Sequence, residues 1–340
     1  MNNRRRYFSQ TAKNAILFII LGALVCAAFF IMLRAWEMHR DRLNASDDTQ
    51  YEDDDRSVIY LDGEKYRQRN HLETFLIIGL DKYDFQINDE ETYSNDQQSD
   101  FLMLLIFDRD ANTYVPLHIN RDSMAPVQVL GVGGKKVETA TMQLALSHTY
   151  GSGGADSCRN TVKAVSDFLY GVQIDHYLSF DRDAIAKIND LVGGVTVEIF
   201  DDFSKVDASL VKGQKICLNG EQAMSYVTAR GNMKDSSNLA RMERQRQYIR
   251  GFKEQALRCL SEDKNFSTRA FSELTNYLTS DCTINKLSNM VSETKNFEMA
   301  EIETVKGTAV KGKEFMEFYP DEQALKDLVV RLFFEPCDDE

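Results

Sequence analysis

The chain has 340 residues, 43% hydrophobic and 27% charged, with a formal net charge of −13 at pH 7. So acidic a protein excludes nucleic acid as a partner, because a phosphate backbone needs a basic face. An anionic substrate is admitted only where cations are gathered locally or a divalent metal intervenes.

Residues 1–14 form a basic tail carrying Arg4, Arg5, Arg6 and Lys13. The segment 15–33, AILFIILGALVCAAFFIML, has no charge and spans nineteen residues, enough to cross a hydrocarbon core of about 30 Å. The basic flank marks the cytoplasmic side, so the bulk of the chain is expected outside the cytoplasm, anchored by a single pass in the cell membrane. A cleaved signal peptide is the competing reading. Against it stand the length of the run and the absence of a small-x-small exit at Arg34-Ala35-Trp36-Glu37. Trp36, the single tryptophan, suits a membrane–water interface. Residues 34–72 are acid-rich, with Asp47-Asp48 and Glu52-Asp53-Asp54-Asp55, and read as an extracytoplasmic linker.

From residue 73 the pattern becomes that of a folded domain, expected over 73–260. Phe75–Ile78, Phe101–Phe107 and Tyr114–Ile119 are continuous apolar runs of the kind found mid-sheet with both faces covered. Gly131-Val132-Gly133-Gly134-Lys135 lacks phosphate-loop spacing and reads as a hairpin tip. Val137–Tyr150 is expected as a helix stopped by Gly151–Gly154, and Ser157–Tyr170 as a helix capped by Gly171. Tyr177–Phe180 and Val195–Phe200 read as strands, and Asp183–Leu191, Leu218–Arg230 and Leu239–Leu260 as helices. The alternation implies an α/β fold, a three-layer α-β-α sandwich with a mixed central sheet. Residues 261–340 read as a C-terminal helical subregion packed on or following the main domain, with helices over Ser267–Leu278, Asn285–Phe297 and Asp321–Phe334 and a strand near Ile302–Val305. The five cysteines beyond Cys26 have no zinc-cluster spacing, and one or two disulfides or buried free thiols both remain open. The five histidines are scattered and form no metalloprotease motif.

Charged residues sit at the ends of the apolar runs. Asp81 follows the first strand and Asp100 opens the second. If those strands are neighbours, both carboxylates share one edge and can hold Mg²⁺ or Mn²⁺ through oxygen alone. On spacing alone, the reading of Asp81 as a turn residue and Asp100 as a loop residue is the preferred one. Arg121 follows the third strand; its planar fork suits phosphate oxygens, with Asp122 beside it. Arg241, Arg244, Gln245 and Tyr248 fall at i, i+3, i+4 and i+7 on one helix face, which by itself reads as a solvated stripe. Arg230 ends the preceding helix, where a cation meets the dipole.

Taken in order, these stretches resemble the LytR-CpsA-Psr family. The matching pieces are Leu76–Asp81, Gln98–Leu104, Ile119–Asp122, Gly171–Tyr177, Leu191–Val195, Leu218–Val227 and Arg241–Gln247. The resemblance implies a membrane-anchored phosphotransferase of cell wall biogenesis. Such enzymes move a glycopolymer, a teichoic acid or capsule, from a polyprenyl-pyrophosphate carrier to peptidoglycan. It implies Asp81 and Asp100 as ligands to Mg²⁺ or Mn²⁺, and Arg121, Arg230, Arg241, Arg244 and Gln245 as pyrophosphate-binding. Arg121, Asp122, Arg230 and Arg241 become the catalytic set, and the lipid tail is expected between sheet and helices. The chain departs from the pattern where Gln98 precedes Ser-Asp in place of arginine, where Thr228 follows Tyr-Val in place of arginine, and where Asn238 stands for an aspartate. Two further readings therefore stay open beside the active transferase: a prenyl-phosphate-binding module that kept the pocket and lost the chemistry, and an envelope regulator.

Overall fold

Two short strands, β1 (Val58–Leu61) and β2 (Glu64–Gln68), form an antiparallel hairpin turned at Gly63. They lie where the sequence suggested linker up to residue 72. Sequences as polar as EKYRQ carry no burial signal, and what fixes them is pairing with the far end of the chain. The computed structural model describes residues 58–61, 63–81, 95–131, 134–313 and 315–337. The apolar segment 15–33 lies outside them, and among the described residues no helix is long and apolar enough to cross a membrane.

The three apolar runs become β3 (Leu72–Leu80), β4 (Ser99–Asp108) and β5 (Thr113–Ile119), paired antiparallel in sequence. Then β6 (Met124–Leu130) and β7 (Lys136–Gln143) form a hairpin over the tip read at 131–135. Thus the helix expected over Val137–Tyr150 is instead strand β7 followed by a 3₁₀ turn, Leu144–Thr149. Its apolar spacing fits a helix face, but Val137, Thr139 and Thr141 are β-branched, and pairing with β6 decides the conformation. Next come α1 (Gly154–Phe168), β8 (His176–Phe180) and α2 (Arg182–Leu191). The last is capped by Asp181, whose side chain accepts from the backbone of Asp183 and Ala184.

A two-stranded ribbon, β9 (Val195–Glu198) with β10 (Lys215–Leu218), leads to α3 (Gly220–Thr228) and the long α4 (Asn238–Glu262). Asn219 and Gln222 form a capping box on α3. Between α2 and β9, Gly194 has φ +88°, and a Cβ there would lie 2.7 Å from Cys217 Sγ and 2.9 Å from Leu218 O. No side chain fits this turn.

The C-terminal part holds α5 (Phe266–Leu274), β11 (Leu278–Ser280), α6 (Ile284–Thr294), β12 (Glu298–Met299), β13 (Glu303–Thr304), the hairpin β14 (Gly307–Lys311) with β15 (Met316–Pro320), α7 (Glu322–Phe333) and β16 (Phe334–Pro336). The strand expected near Ile302–Val305 is β13, and beyond the expected helices this part supplies both edges of the main sheet, whose order is β11-β8-β3-β4-β5-β12, with β13 also on β5. The sheet is mixed: β8 runs parallel to β3, and β12 and β13 parallel to β5. At the other end of the chain β16 pairs with β2.

One sheet face presents Leu76, Ile78, Leu102, Leu104, Leu117 and Ile119, all buried, to α1, the β6–β7 hairpin and α7. On the opposite face lie Phe75, Ile77, Leu105, Phe107, Tyr114 and Leu178, beneath Phe271 of α5 and Leu287 and Met290 of α6. Ile77, Phe101, Leu105, Leu178 and Phe180 on this second face are only half-buried. A third cluster joins α2, β9, α3 and α4 around Val195, Tyr226 and Tyr248.

Candidate active site

The ends of β3, β4 and β5 and the start of α4 bring the predicted charged residues together. Asp81 leaves β3 just after a register shift between Gly79 and Leu80, with Leu80 opposite Ser99. A Cβ on Gly79 would lie 2.9 Å from Phe101 Cβ and 3.1 Å from the Phe180 ring, so glycine is what lets the three strands close at this end. The Asp81 backbone donates to Gln98 O at 3.2 Å, and Gln98 N donates to Asp81 Oδ1 at 2.9 Å. Among the described residues the second Asp81 oxygen has no partner. Asp100 is therefore on the strand next to Asp81.

Two guanidinium groups grip Asp100. Arg241 donates from Nη1 to Asp100 Oδ2 at 2.9 Å and from Nη2 to its backbone oxygen at 3.1 Å. Arg121 pairs with Asp100 Oδ1 through Nη1, with Asp122 Oδ1 through Nε at 3.2 Å, and with Gln98 Oε1 through Nη2 at 2.8 Å. Both arginine side chains are almost fully buried, at 8% exposure for Arg121 and 2% for Arg241. Burial pushes each guanidinium down to about 10. For Arg241 the next largest cause is the charge of Arg230; for Arg121, Asp122 pulls the other way, and Arg241 and Arg230 push further down. Both remain cations at neutral pH. Desolvation is the main cause, so the two charges are held in a dry site by their carboxylate partners. Arg230 is half-buried, and among the described residues its side chain has no partner.

The positions where the sequence departs from the family pattern are each satisfied locally. Gln98 accepts from Arg121. Asn238 Oδ1 accepts from Arg241 Nε at 3.1 Å and Nη2 at 2.6 Å, while its Nδ2 donates to Asn120 Oδ1 at 2.6 Å. Thr228 turns its hydroxyl back to Met224 O at 2.8 Å. Asn120 also accepts from Asp122 N at 3.0 Å and so holds the Arg121–Asp122 turn to α4. In the sequence Asn120 is an uncharged residue ahead of Arg121 and Asp122, and nothing there signals this role.

Not every predicted residue reaches the site. Each nitrogen of Arg244 donates within the fold: Nε to Tyr226 O at 3.0 Å, Nη1 to Asp201 Oδ2 at 2.7 Å and Nη2 to Ala229 O. Its guanidinium also covers the Phe203 ring at 5.6 Å. Arg244 thus pins the chain around the end of α3, with three of its five N–H donors spent on acceptors within the fold. Gln245 Nε2 donates to Val227 O at 3.1 Å, pinning the same stretch. The stripe Arg241, Arg244, Gln245, Tyr248 is buried, where spacing alone suggested a solvated face. Asp122 Oδ1 accepts from Arg121 and from Gln143 Nε2 at 3.4 Å, and Phe318 N of β15 donates to Asp122 O at 2.8 Å.

The pattern of Asp and Arg at strand ends, read with the fold, has clear relatives. TagU from Bacillus subtilis (strain 168), a polyisoprenyl-teichoic acid–peptidoglycan teichoic acid transferase, is 26% identical over 263 residues, covering 76% of each chain. TagV from the same organism is 31% identical over 169 residues, 48% of this chain and 40% of its own. The structure of TagT bound to LIIa-WTA matches with a TM-score of 0.58 at 20% identity, covering 77% of this chain and 90% of that one. A model of the LytR_cpsA_psr family matches residues 37–331. The chain belongs to the LytR-CpsA-Psr family.

Proposed function

We propose that this chain is a membrane-anchored phosphotransferase that moves a glycopolymer from a polyprenyl-pyrophosphate carrier to peptidoglycan. The observation that carries this reading is the convergence of the buried guanidinium groups of Arg121 and Arg241 on Asp100 at one end of the sheet, with Asp81 on the adjacent strand. Such a pocket is completed by an anion of high charge density. The transferase names of the relatives agree with it. The half-buried apolar face at Ile77, Phe101, Leu105, Leu178 and Phe180 gives a polyprenyl tail somewhere to lie.

In this reading an acceptor hydroxyl oxygen attacks the phosphorus that carries the glycan. One P–O bond forms, the bond to the bridging oxygen breaks, and polyprenyl phosphate departs as the hydroxyl proton is released. Arg121, Arg230 and Arg241 hold the pyrophosphate and meet the charge that grows on the leaving oxygen. Asp122, fixed by Gln143, orients Arg121. Asp81 and Asp100 are hard oxygen donors on adjacent strands, the chemistry Mg²⁺ or Mn²⁺ takes; Asp81 has an unengaged oxygen, while the ion would have to displace Arg121 or Arg241 from Asp100. When bound, the ion supplies further neutralisation of phosphate charge.

The test is turnover by the full chain in detergent, with Mg²⁺, a polyprenyl-pyrophosphate-linked glycan and a peptidoglycan acceptor. We expect transfer, lowered about a hundredfold or more in Asp100→Ala and Arg241→Met. Absence of transfer with retained prenyl-pyrophosphate binding would favour the binding-module reading, which rests on the neutral Gln98, Thr228 and Asn238.

A further inference from the structure

At the opposite end of β3 and β8 from Asp81, a second set of side chains converges. His176 begins β8, facing Phe75 across the parallel pair, and Asp281 and Cys282 directly follow β11. One ligand atom from each of His176, Asp281 and Cys282 lies within 4.8 Å of the others. We propose that these three residues bind a borderline divalent transition-metal ion, of which Zn²⁺ is the type, and that the ion clips the C-terminal edge strand β11 to the sheet.

The donor set is one imidazole nitrogen, one carboxylate oxygen and one thiolate sulfur, the mixture that tetrahedral Zn²⁺ accepts and that Mg²⁺ or Ca²⁺ does not. The donors sit on a rigid frame. Tyr177 N donates to Asp281 Oδ1 at 3.0 Å, and Ser280 Oγ donates to Tyr177 O at 2.6 Å. Cys282 N in turn donates to Ser280 Oγ at 3.0 Å. The Phe75 ring lies 6.1 Å from the imidazole, centroid to centroid. Three protein ligands leave the fourth position to solvent, on the open side of a half-buried cluster.

The surroundings of His176 give the proposal a distinctive consequence. Its Nδ1 is 2.9 Å from Asp281 Oδ2, and its Nε2 is 2.8 Å from Lys286 Nζ and 3.9 Å from Glu73 Oε1. A neutral ring with its proton on Nδ1 donates to Asp281 and accepts from Lys286. A metal on Nδ1 obliges the remaining ring proton to sit on Nε2, which turns that nitrogen from acceptor to donor. Lys286 then faces a donor and must leave, and Glu73 takes the Nε2–H as the outer carboxylate of a carboxylate–histidine–metal arrangement. Cys282 ligates a metal ion only as the thiolate. Loading therefore releases the thiol proton to solvent.

Lys286 is in this account a competitor, and Glu73 a supporter. The probe is Co²⁺ added to the full chain in detergent, read by near-ultraviolet thiolate-to-cobalt charge transfer and by thermal unfolding. Stoichiometric Co²⁺ is expected to give the charge-transfer band and raise the melting temperature. Cys282→Ser loses the band and Cys217→Ser, an exposed thiol, keeps it. Glu73→Gln weakens Co²⁺ binding about 10- to 100-fold, and Lys286→Met strengthens it. No band in the unaltered chain, a band surviving Cys282→Ser, or an affinity unmoved by Lys286→Met each overturns the proposal. The lysine variant removes only a surface cation, so it stays informative if Cys282→Ser does not fold.

Discussion

At the scale of single residues, the arginines divide by what they touch. Arg244 is held by three backbone and carboxylate acceptors, so Arg244→Met is expected to cost roughly 2–4 kcal/mol in urea unfolding, with no rescue by lysine, which lacks the fork. Arg230→Gln, with no partner to lose among the described residues, should leave stability within ~0.5 kcal/mol while lowering transfer at least tenfold. Two buried histidines govern acid behaviour. Burial, followed by the charges of Arg246 and Arg241, pushes His118 down to about 3, and burial pushes His148 down to about 4. Both are neutral when folded, whereas the unfolded chain protonates them below about pH 6.5. Stability contributed by each is therefore present above pH 6.5 and lost as the pH falls, at up to ~1.4 kcal/mol per pH unit per histidine, until the folded values are reached. The denaturation midpoint measured at pH 7 and pH 5 should show this fall. His118 Nδ1 is buried without a hydrogen-bond partner, and its ring lies 5.0 Å from Phe101. His118→Phe should accordingly remove about half of the pH effect.

Among the elements, what burial dictates was legible in the sequence and what pairing dictates was not. The continuous apolar runs made β3, β4 and β5 readable, and with them the strand-end positions of Asp81 and Arg121. The helices α2, α3 and α4 were readable from spacing and caps. By contrast β7 has exposed side chains along most of its length, and its helical reading failed because its register comes from β6. Likewise the hairpin β1–β2 lay hidden, because β2 is polar and its second partner, β16, is more than 260 residues away. Arg244 and Gln245 share a helix face with Arg241, and spacing could not say that the face turns from the pocket to the end of α3 within one turn. The break between α2 and β9 gives a sharp test. Gly194→Ala combines positive φ with contact against Cys217 and the Leu218 carbonyl, and should destabilise by at least ~1–2 kcal/mol in thermal unfolding.

For the molecule as a whole, the C-terminal part is structural from the outset. It covers β8 with β11 and β5 with β12 and β13, so a chain ending at residue 262 would leave two central strands as open edges. That truncation is expected to be insoluble or aggregated, as measured by size-exclusion chromatography.

The grip of β15 on the Arg121–Ser123 turn reaches further than stability. Phe318 N bonds Asp122 O, Met316 O accepts from Gln143, and Ser123 bridges to Phe318. A ribosome delivers the Arg121–Ser123 turn nearly two hundred residues before the hairpin that fastens it. Until β15 has formed, that turn lacks its contacts from Phe318 and Met316, so a segment remote in the chain sets how firmly Arg121 and Asp122 are held.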